Sequence, residues 1–172
     1  FLETLLPKTE LEVLVIAGDL SHYNAQSNVA LQFFSQHYEH VFFVMGNHDY
    51  YLVSRNHETK YKHNSLNREL ELKQAIATLP NVTLLEHYEA HTFKGIKFAG
   101  ATNWYGLHTT EEQQFFQSKS NDSQLIKRLL ILNQHSLEMA AYEKIEPVDV
   151  LITHVPPIHM DFYESTECLF NP

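Results

Sequence analysis

Three short apolar runs, each ended by residues able to hold a cation, constrain this chain more than anything else in it. They are Val13-Leu14-Val15-Ile16-Ala17, Val41-Phe42-Phe43-Val44-Met45, and Val148 to Ile152, the last interrupted by Asp149. Continuous apolarity without alternation, rich in β-branched and aromatic residues, is the pattern of strands buried on both faces. The runs are followed by Gly18-Asp19, by Gly46-Asn47-His48-Asp49 and by Thr153-His154. In open α/β sheets, ligands collect beyond the carboxyl ends of the strands. Three such strands side by side would bring Asp19, Asn47 and His154 to one place from distant parts of the chain.

Helical periodicity fills the intervals. Ala25, Val29 and Phe33 recur at i, i+4 and i+8, with Ala30 and Phe34 beside them. Leu66, Leu70, Leu72, Ile76 and Leu79 mark a second helix, ended by Pro80. A third is expected from about Ser123 to Tyr142, with Leu125, Ile126, Leu129, Leu130 and Leu137 inward and Asn121 or Asp122 as its N-cap. Between the second and third helices, the brief runs Val82–Leu85, His91–Phe93 and Ile96–Ala99 read as antiparallel strands, with Lys94-Gly95 as a tight turn. A parallel beginning followed by a hairpin region and another helix predicts an α/β chain with two packed sheets and helices outside.

The residue types suit a divalent cation. An aspartate carboxylate can bridge two ions about 3.5–4 Å apart, the spacing of two-metal phosphoryl sites. An Asn carbonyl and a neutral imidazole add coordination without cancelling the positive charge that polarises a phosphate. Gly18 and Gly46 let the backbone turn sharply and ligand atoms come close. The formal net charge of −9 suits a protein that concentrates cations and argues against general binding to duplex nucleic acid. Cys168 is the only cysteine, which excludes an intramolecular disulfide and favours a reducing, cytoplasmic setting. No apolar run reaches the roughly 18 residues a membrane span needs.

Ala17-Gly18-Asp19, Met45-Gly46-Asn47-His48-Asp49 and Thr153-His154-Val155-Pro156-Pro157 together resemble three successive motifs of the calcineurin-like metallophosphoesterases. Gly100-Ala101-Thr102-Asn103-Trp104 is similar to a segment that precedes the third helix in some bacterial and phage members. The resemblance runs from Leu11 to Pro157 and implies a four-layer αββα sandwich of two mixed β-sheets. It also implies hydrolysis of phosphate esters, phosphodiester or phosphomonoester, by a metal-bound hydroxide. In that scheme Asp19 bridges two metals, and Asn47 and His154 bind the second. His48 stands beside the phosphate, and Asp49 orients His48 and raises its basicity. The expected cofactor is Mn²⁺, with Fe, Zn or Mg as alternatives, and the expected substrate is a small phosphate ester or a nucleotide.

Two motifs that the resemblance implies do not occur in residues 1–172: an Asp-x-His before the Gly-Asp strand and a Gly-His-x-His after the third strand. The first metal would then keep only Asp19. The expectation is a single domain, 1–172, lacking parts at both ends, with a parent protein that supplies about 20 residues upstream and a few tens downstream. The competing reading is an inactive scaffold or interaction protein that retains the fold.

Other candidates have plainer readings. His22 could reach the site, with a solvent-facing place as its default. His159 and Asp161 could be spare ligands or loop residues. His57 and His63, among Arg55, Lys60, Lys62 and Arg68, could meet a substrate phosphate or form a solvated loop. Trp104 and Tyr105 read as packing residues near the mouth of the site, or as a substrate wall.

Overall fold

The structure is a computed structural model and describes residues 1–7 and 11–156. The first apolar run forms β1 (Val13–Ala17) and the second forms β2 (His40–Val44), joined by the helix α1 (Asn24–His37). Two helices follow, α2 (Arg55–Lys60) and α3 (Ser65–Ile76), and then β3 (Val82–Leu84). These strands make a parallel sheet in the order β1-β2-β3.

The second sheet contains β4 (His91–Phe93), β5 (Ile96–Ala101) and β6 (Val150–Thr153). Here β4 and β5 pair antiparallel, whereas β5 and β6 pair parallel. Lys94 and Gly95 turn the hairpin at φ 48° and 82°, the left-handed geometry that fits a two-residue loop to twisted strands. Between β5 and β6 lie α4 (Thr110–Lys119), α5 (Asn121–Leu125) and α6 (Ile131–Tyr142). Among the described residues, no helix is long and apolar enough to cross a membrane.

The expected α/β arrangement of two sheets flanked by helices is present. The alternation of β2 shows why its sequence is apolar throughout. Val41, Phe43 and Met45 join the cluster that holds Leu31 and Phe34 of α1 and Leu72 and Ile76 of α3. Phe42 and Val44 point the other way, into the layer between the sheets with Leu85, Phe98 and Ile152. The rings of Phe42 and Phe98 stack there at 4.2 Å, within the range of favourable aromatic pairs.

Several local expectations are corrected. The run at Val82 is not antiparallel: β3 pairs parallel with β2 and belongs to the first sheet, whose described strands are all parallel. The third apolar run does not lie beside the first two, because β6 pairs with β5 in the second sheet. The long third helix is broken. Ile126 and Leu130 are extended and Arg128 has φ 61°. This segment is pulled out of helix by Lys127, whose carbonyl accepts from Ser65 N at 3.0 Å and whose N–H donates to Ser65 Oγ at 3.0 Å. Ser120, not Asn121 or Asp122, caps α5.

The helix faces are also rotated from their apolar stripes. In α1 the inward residues are Asn24, Ser27, Ala30, Leu31 and Phe34, while Val29 is 59% exposed. In α3 they are Ser65, Arg68, Leu72 and Ile76, with Leu66 and Leu70 outside. In α6 Glu138 is inward and Leu137 outward. In each case a polar residue with fixed hydrogen-bond partners takes a place that hydrophobicity alone assigns to a leucine or valine.

Candidate metal centre

β1 and β2 run in register, with Ala17 opposite Val44, so the loops that leave them begin at the same level. Gly18 has φ 90° and Asp19 φ 57°. A left-handed aspartate is an unusual backbone state that persists only where surroundings impose it, and it aims the carboxylate across the loop. A side chain at Gly18 would run into the His154 ring, and one at Gly46 into Asp19 and His154. Both glycines are needed for this close approach.

Thr102 and Asn103 clip the His154 loop to the end of β2. Thr102 Oγ1 donates to Met45 O at 2.8 Å, and Val155 N donates to Thr102 O at 3.0 Å. Asn103 Nδ2 donates to Val155 O at 2.8 Å. That is what the Gly-Ala-Thr-Asn-Trp segment does structurally. It lets a residue from the second sheet meet two from the first.

Asp19, Asn47 and His154 are brought together. His154 Nε2 lies 3.0 Å from Asn47 Oδ1 and 3.5 Å from Asp19 Oδ1. The other ring nitrogen, Nδ1, is 2.8 Å from the carbonyl oxygen of Ala17, an acceptor, so Nδ1 carries a proton. Asn47 turns its Nδ2 toward Asp122 Oδ1, at 2.7 Å, and the Tyr51 hydroxyl, at 3.1 Å, so its oxygen is the atom facing His154. In a neutral ring, Nε2 then presents a lone pair to an amide oxygen and a carboxylate. Such an acceptor-only set needs a positive centre, a proton or a metal ion, among its members. The side chains of Asp19 and His154 are 32% and 19% exposed, so the cluster opens to solvent. Its third member is a neutral amide; among the described residues no three His, Cys, Asp or Glu side chains group to hold a metal. One carboxylate, one imidazole and one amide oxygen fit a divalent cation of intermediate softness.

His48 stands beside this cluster, with N donating to Asp19 Oδ1 at 3.0 Å and Nδ1 3.9 Å from Asp19 Oδ2. Asp49 does not orient its ring, contrary to the expectation. The Asp49 carboxylate is fully buried and its Oδ2 accepts from Gly46 N at 2.9 Å and Asp19 N at 3.0 Å, tying the two loops together. Burial pushes its pKa up, against the opposing pull of the Gly46 N–H and the Arg68 charge. The His48 ring meets His22 instead. His22 Nε2 lies 3.0 Å from His48 Nδ1 and the rings stack at 4.9 Å, so His22, though exposed, also borders the cluster. Burial, then the neighbouring His48 and Arg68, lowers the His22 pKa.

Arg68 is neither a phosphate-facing nor a solvated residue. It is fully buried and donates to His48 O, Tyr51 O and Ser21 O, each at 2.7 Å, and to Asn24 Oδ1 at 3.0 Å. It thereby pins the loop after β1 to the turn after β2. His57 is buried against Tyr23 and Tyr61, while His63 is a surface partner of Glu58 at 3.2 Å. Trp104 is core, in edge contact with Tyr50. Tyr105 donates to Asp122 Oδ2 at 2.6 Å. His159 and Asp161 lie outside the described residues.

Asp122, Tyr51 and Arg68 are the site components that short motifs do not reveal. Asp122 is 5% exposed and also accepts from the Tyr51 hydroxyl. Burial and the adjacent Asp122 raise both phenols, Tyr51 and Tyr105, so they remain protonated donors.

Comparison with known proteins gives this geometry a context. The chain is 26% identical over 121 residues to an uncharacterized protein of Acanthamoeba polyphaga mimivirus, covering 70% of this chain and 41% of that protein. The fold is similar to that of a phosphopantetheinyl hydrolase from Mycobacterium tuberculosis, with a TM-score of 0.64 and 17% identity over 90% of this chain and 62% of the other. The chain thus spans less than two thirds of either relative. The profile of the calcineurin-like phosphoesterases matches residues 1–171, and the chain belongs to that family.

Proposed function

We propose that residues 1–172 are the single domain, or most of it, of a metal-dependent phosphoesterase whose cation is held by Asp19, Asn47 and His154. The observation that carries this reading is the convergence of their three acceptor atoms, with Nε2 of His154 3.0 Å from one and 3.5 Å from another. A divalent ion bound there supplies Lewis-acid polarisation of the phosphoryl oxygens and makes water acidic enough to ionise near neutral pH. Mn²⁺ is the metal proposed, with Fe, Zn or Mg as alternatives.

The chain's own residues account for the rest. Asp19 and the neutral Asn47 and His154 leave the ion with net positive charge to meet an anionic substrate. His48, 40% exposed at the rim of the cluster, faces the phosphate and donates a proton to the leaving oxygen. Asp49 acts at one remove by holding the Asp19 and Gly46 backbones. A small phosphate ester or a nucleotide fits an open site on an acidic protein better than duplex nucleic acid does, and the setting proposed is the cytoplasm.

The test uses the full-length protein, a generic aryl phosphodiester and its monoester analogue, with and without added Mn²⁺. Turnover should require the metal and fall by at least about 100-fold in His48→Ala, as expected when a general acid is removed. Asp19→Ala should abolish both turnover and Mn²⁺ binding. A folded protein that binds no Mn²⁺ and hydrolyses neither ester would refute the reading and favour the inactive scaffold.

A further inference from the structure

The alternative placements of the Asn47 amide are not equivalent, and what decides between them comes from a distant part of the chain. Nδ2 of Asn47 is directed at Asp122 Oδ1 and the Tyr51 hydroxyl, leaving Oδ1 toward His154. Reversing the amide would set its oxygen against a carboxylate. The Asp122 carboxylate is itself held on every side: Tyr51 and Tyr105 donate to its two oxygens, and Ser120 Oγ accepts from its backbone N at 3.2 Å. The short helix that carries it is anchored in turn. Leu52 N donates to Leu125 O at 2.8 Å, the Lys127 backbone pairs with Ser65, and Ile126 and Leu129 are buried in the main core.

We infer that Asp122 is a positioning residue, which with Tyr51 holds the Asn47 amide so that its oxygen, and not its NH₂, is offered to the cation. This rests on the metal reading above and deepens it, by assigning the α5 segment a role in cation affinity. Partners of a ligand commonly change metal affinity by about 10–100-fold when removed. The carboxylate acts through where it accepts, not through its charge. An asparagine at this place can still accept from Asn47 and Tyr51 with its oxygen while its NH₂ faces the Tyr105 oxygen, which has free lone pairs.

Mn²⁺ titration of the full-length protein by calorimetry, with the Asn47 side-chain NH₂ signal followed by ¹H–¹⁵N NMR in the metal-free protein, tests this. Asp122→Ala should weaken Mn²⁺ binding by about 10–100-fold and shift the Asn47 NH₂ pair toward solvent-exposed values. Asp122→Asn should stay within about threefold of the wild type, a difference smaller than one ordinary hydrogen bond is worth, and keep the shifted pair. Unchanged affinity in Asp122→Ala, or equal weakening in Asp122→Asn, overturns the inference while leaving the metal reading standing. A wild-type protein that binds no Mn²⁺ overturns both. If Asp122→Ala does not fold, Tyr51→Phe decides. It should bind about fivefold more weakly than Asp122→Asn, since it loses the Asn47 amide's bond to the Tyr51 hydroxyl as well as that hydroxyl's bond to Asp122, and the opposite order overturns the inference.

Discussion

Asp49 and Asp122 are both buried carboxylates standing behind the candidate ligands, yet they are held in opposite ways. Asp49 accepts from backbone, the N–H groups of Gly46 and Asp19, and so fixes where two loops run. The Asp122 carboxylate accepts from side chains, namely Asn47, Tyr51 and Tyr105, and so fixes how one amide is turned. The first sort of support acts on the path of the chain. The second acts on a single rotamer, and its loss leaves groups that can rotate to new partners or to water. The two should therefore differ in stability and in affinity, in opposite senses.

The largest expected effect is that of Asp49→Ala. It strands the buried Gly46 N–H and the part-buried Asp19 N–H and leaves the Arg68 guanidinium without its opposing charge nearby, a loss of ~3–5 kcal/mol of unfolding free energy. Asp122→Ala should cost less, ~1–2 kcal/mol, because its three donors can turn. Urea unfolding of the two variants measures both. Equal losses would break the distinction.

Arg68→Met comes next and tests the same side of the contrast. The buried guanidinium meets three carbonyls and an amide oxygen. An apolar replacement of similar length takes the donor from the Ser21 and Tyr51 carbonyls, while His48 O keeps the Tyr51 N–H, at a cost of ~3 kcal/mol. The denaturation midpoint should fall with little change in its slope. A variant as stable as the wild type would show that water replaces the guanidinium without cost.

The contrast also explains how much could be read from the chain. Asp19, Asn47 and His48 stand directly after β-branched runs whose strand character is strong, so their places follow from a local pattern. His154 comes from the other sheet, which periodicity does not show, because a run buried on both faces reads alike in either sheet. The inward polar residues Asn24, Arg68 and Glu138 were illegible. Each displaces an apolar neighbour from the core through partners far along the chain: Asn24 and Arg68 bond one another across 44 residues. In the sequence Asp122 reads as a helix cap, the commonest use of an Asp before a helical pattern. Nothing near it in sequence points to Asn47. The break in the third helix has the same origin, since Ser65 supplies the bonds that draw Lys127 out.

Glu138 stands between the two cases, remote in sequence but bonded to backbone: Trp104 N donates to its Oε2 at 2.6 Å. Burial pushes its pKa up from 4.5 to about 7, against the pull of the N–H groups of Trp104, Thr102 and Asn103. The folded protein therefore retains a proton up to about pH 7 that the unfolded chain releases near pH 4.5. Folding takes up a proton in that window, so this group's contribution to stability falls as pH rises through it and levels off above. Glu138→Gln keeps an acceptor for Trp104 and removes the titration. It should be more stable than wild type by on the order of 2–3 kcal/mol at pH 8, with the gap closing toward pH 4.5. Melting curves across that range check the sign, and a gap independent of pH would show that burial does not perturb this carboxyl.

Ser120→Ala carries the smallest effect and separates the two supports most finely. Ser120 Oγ accepts from Asp122 N and caps a helix of five residues, so its removal should cost ~1 kcal/mol of stability. A cap on a helix this short has no long ladder to sustain; what it holds is the place of Asp122. If Asp122 acts by turning Asn47, loosening that place should weaken Mn²⁺ binding by about threefold to fivefold, in line with the loss of a single hydrogen bond. A substitution of similar cost away from the ligands, such as Thr83→Val beside His40, loses one neutral hydrogen bond yet leaves the Asn47 amide as it was. The two variants, matched in stability by urea unfolding, should then differ in Mn²⁺ affinity, with Ser120→Ala the weaker binder. Equal affinities would mean that the α5 segment supports the fold alone, and that the side-chain-held carboxylate has no separate hold on the metal ligand.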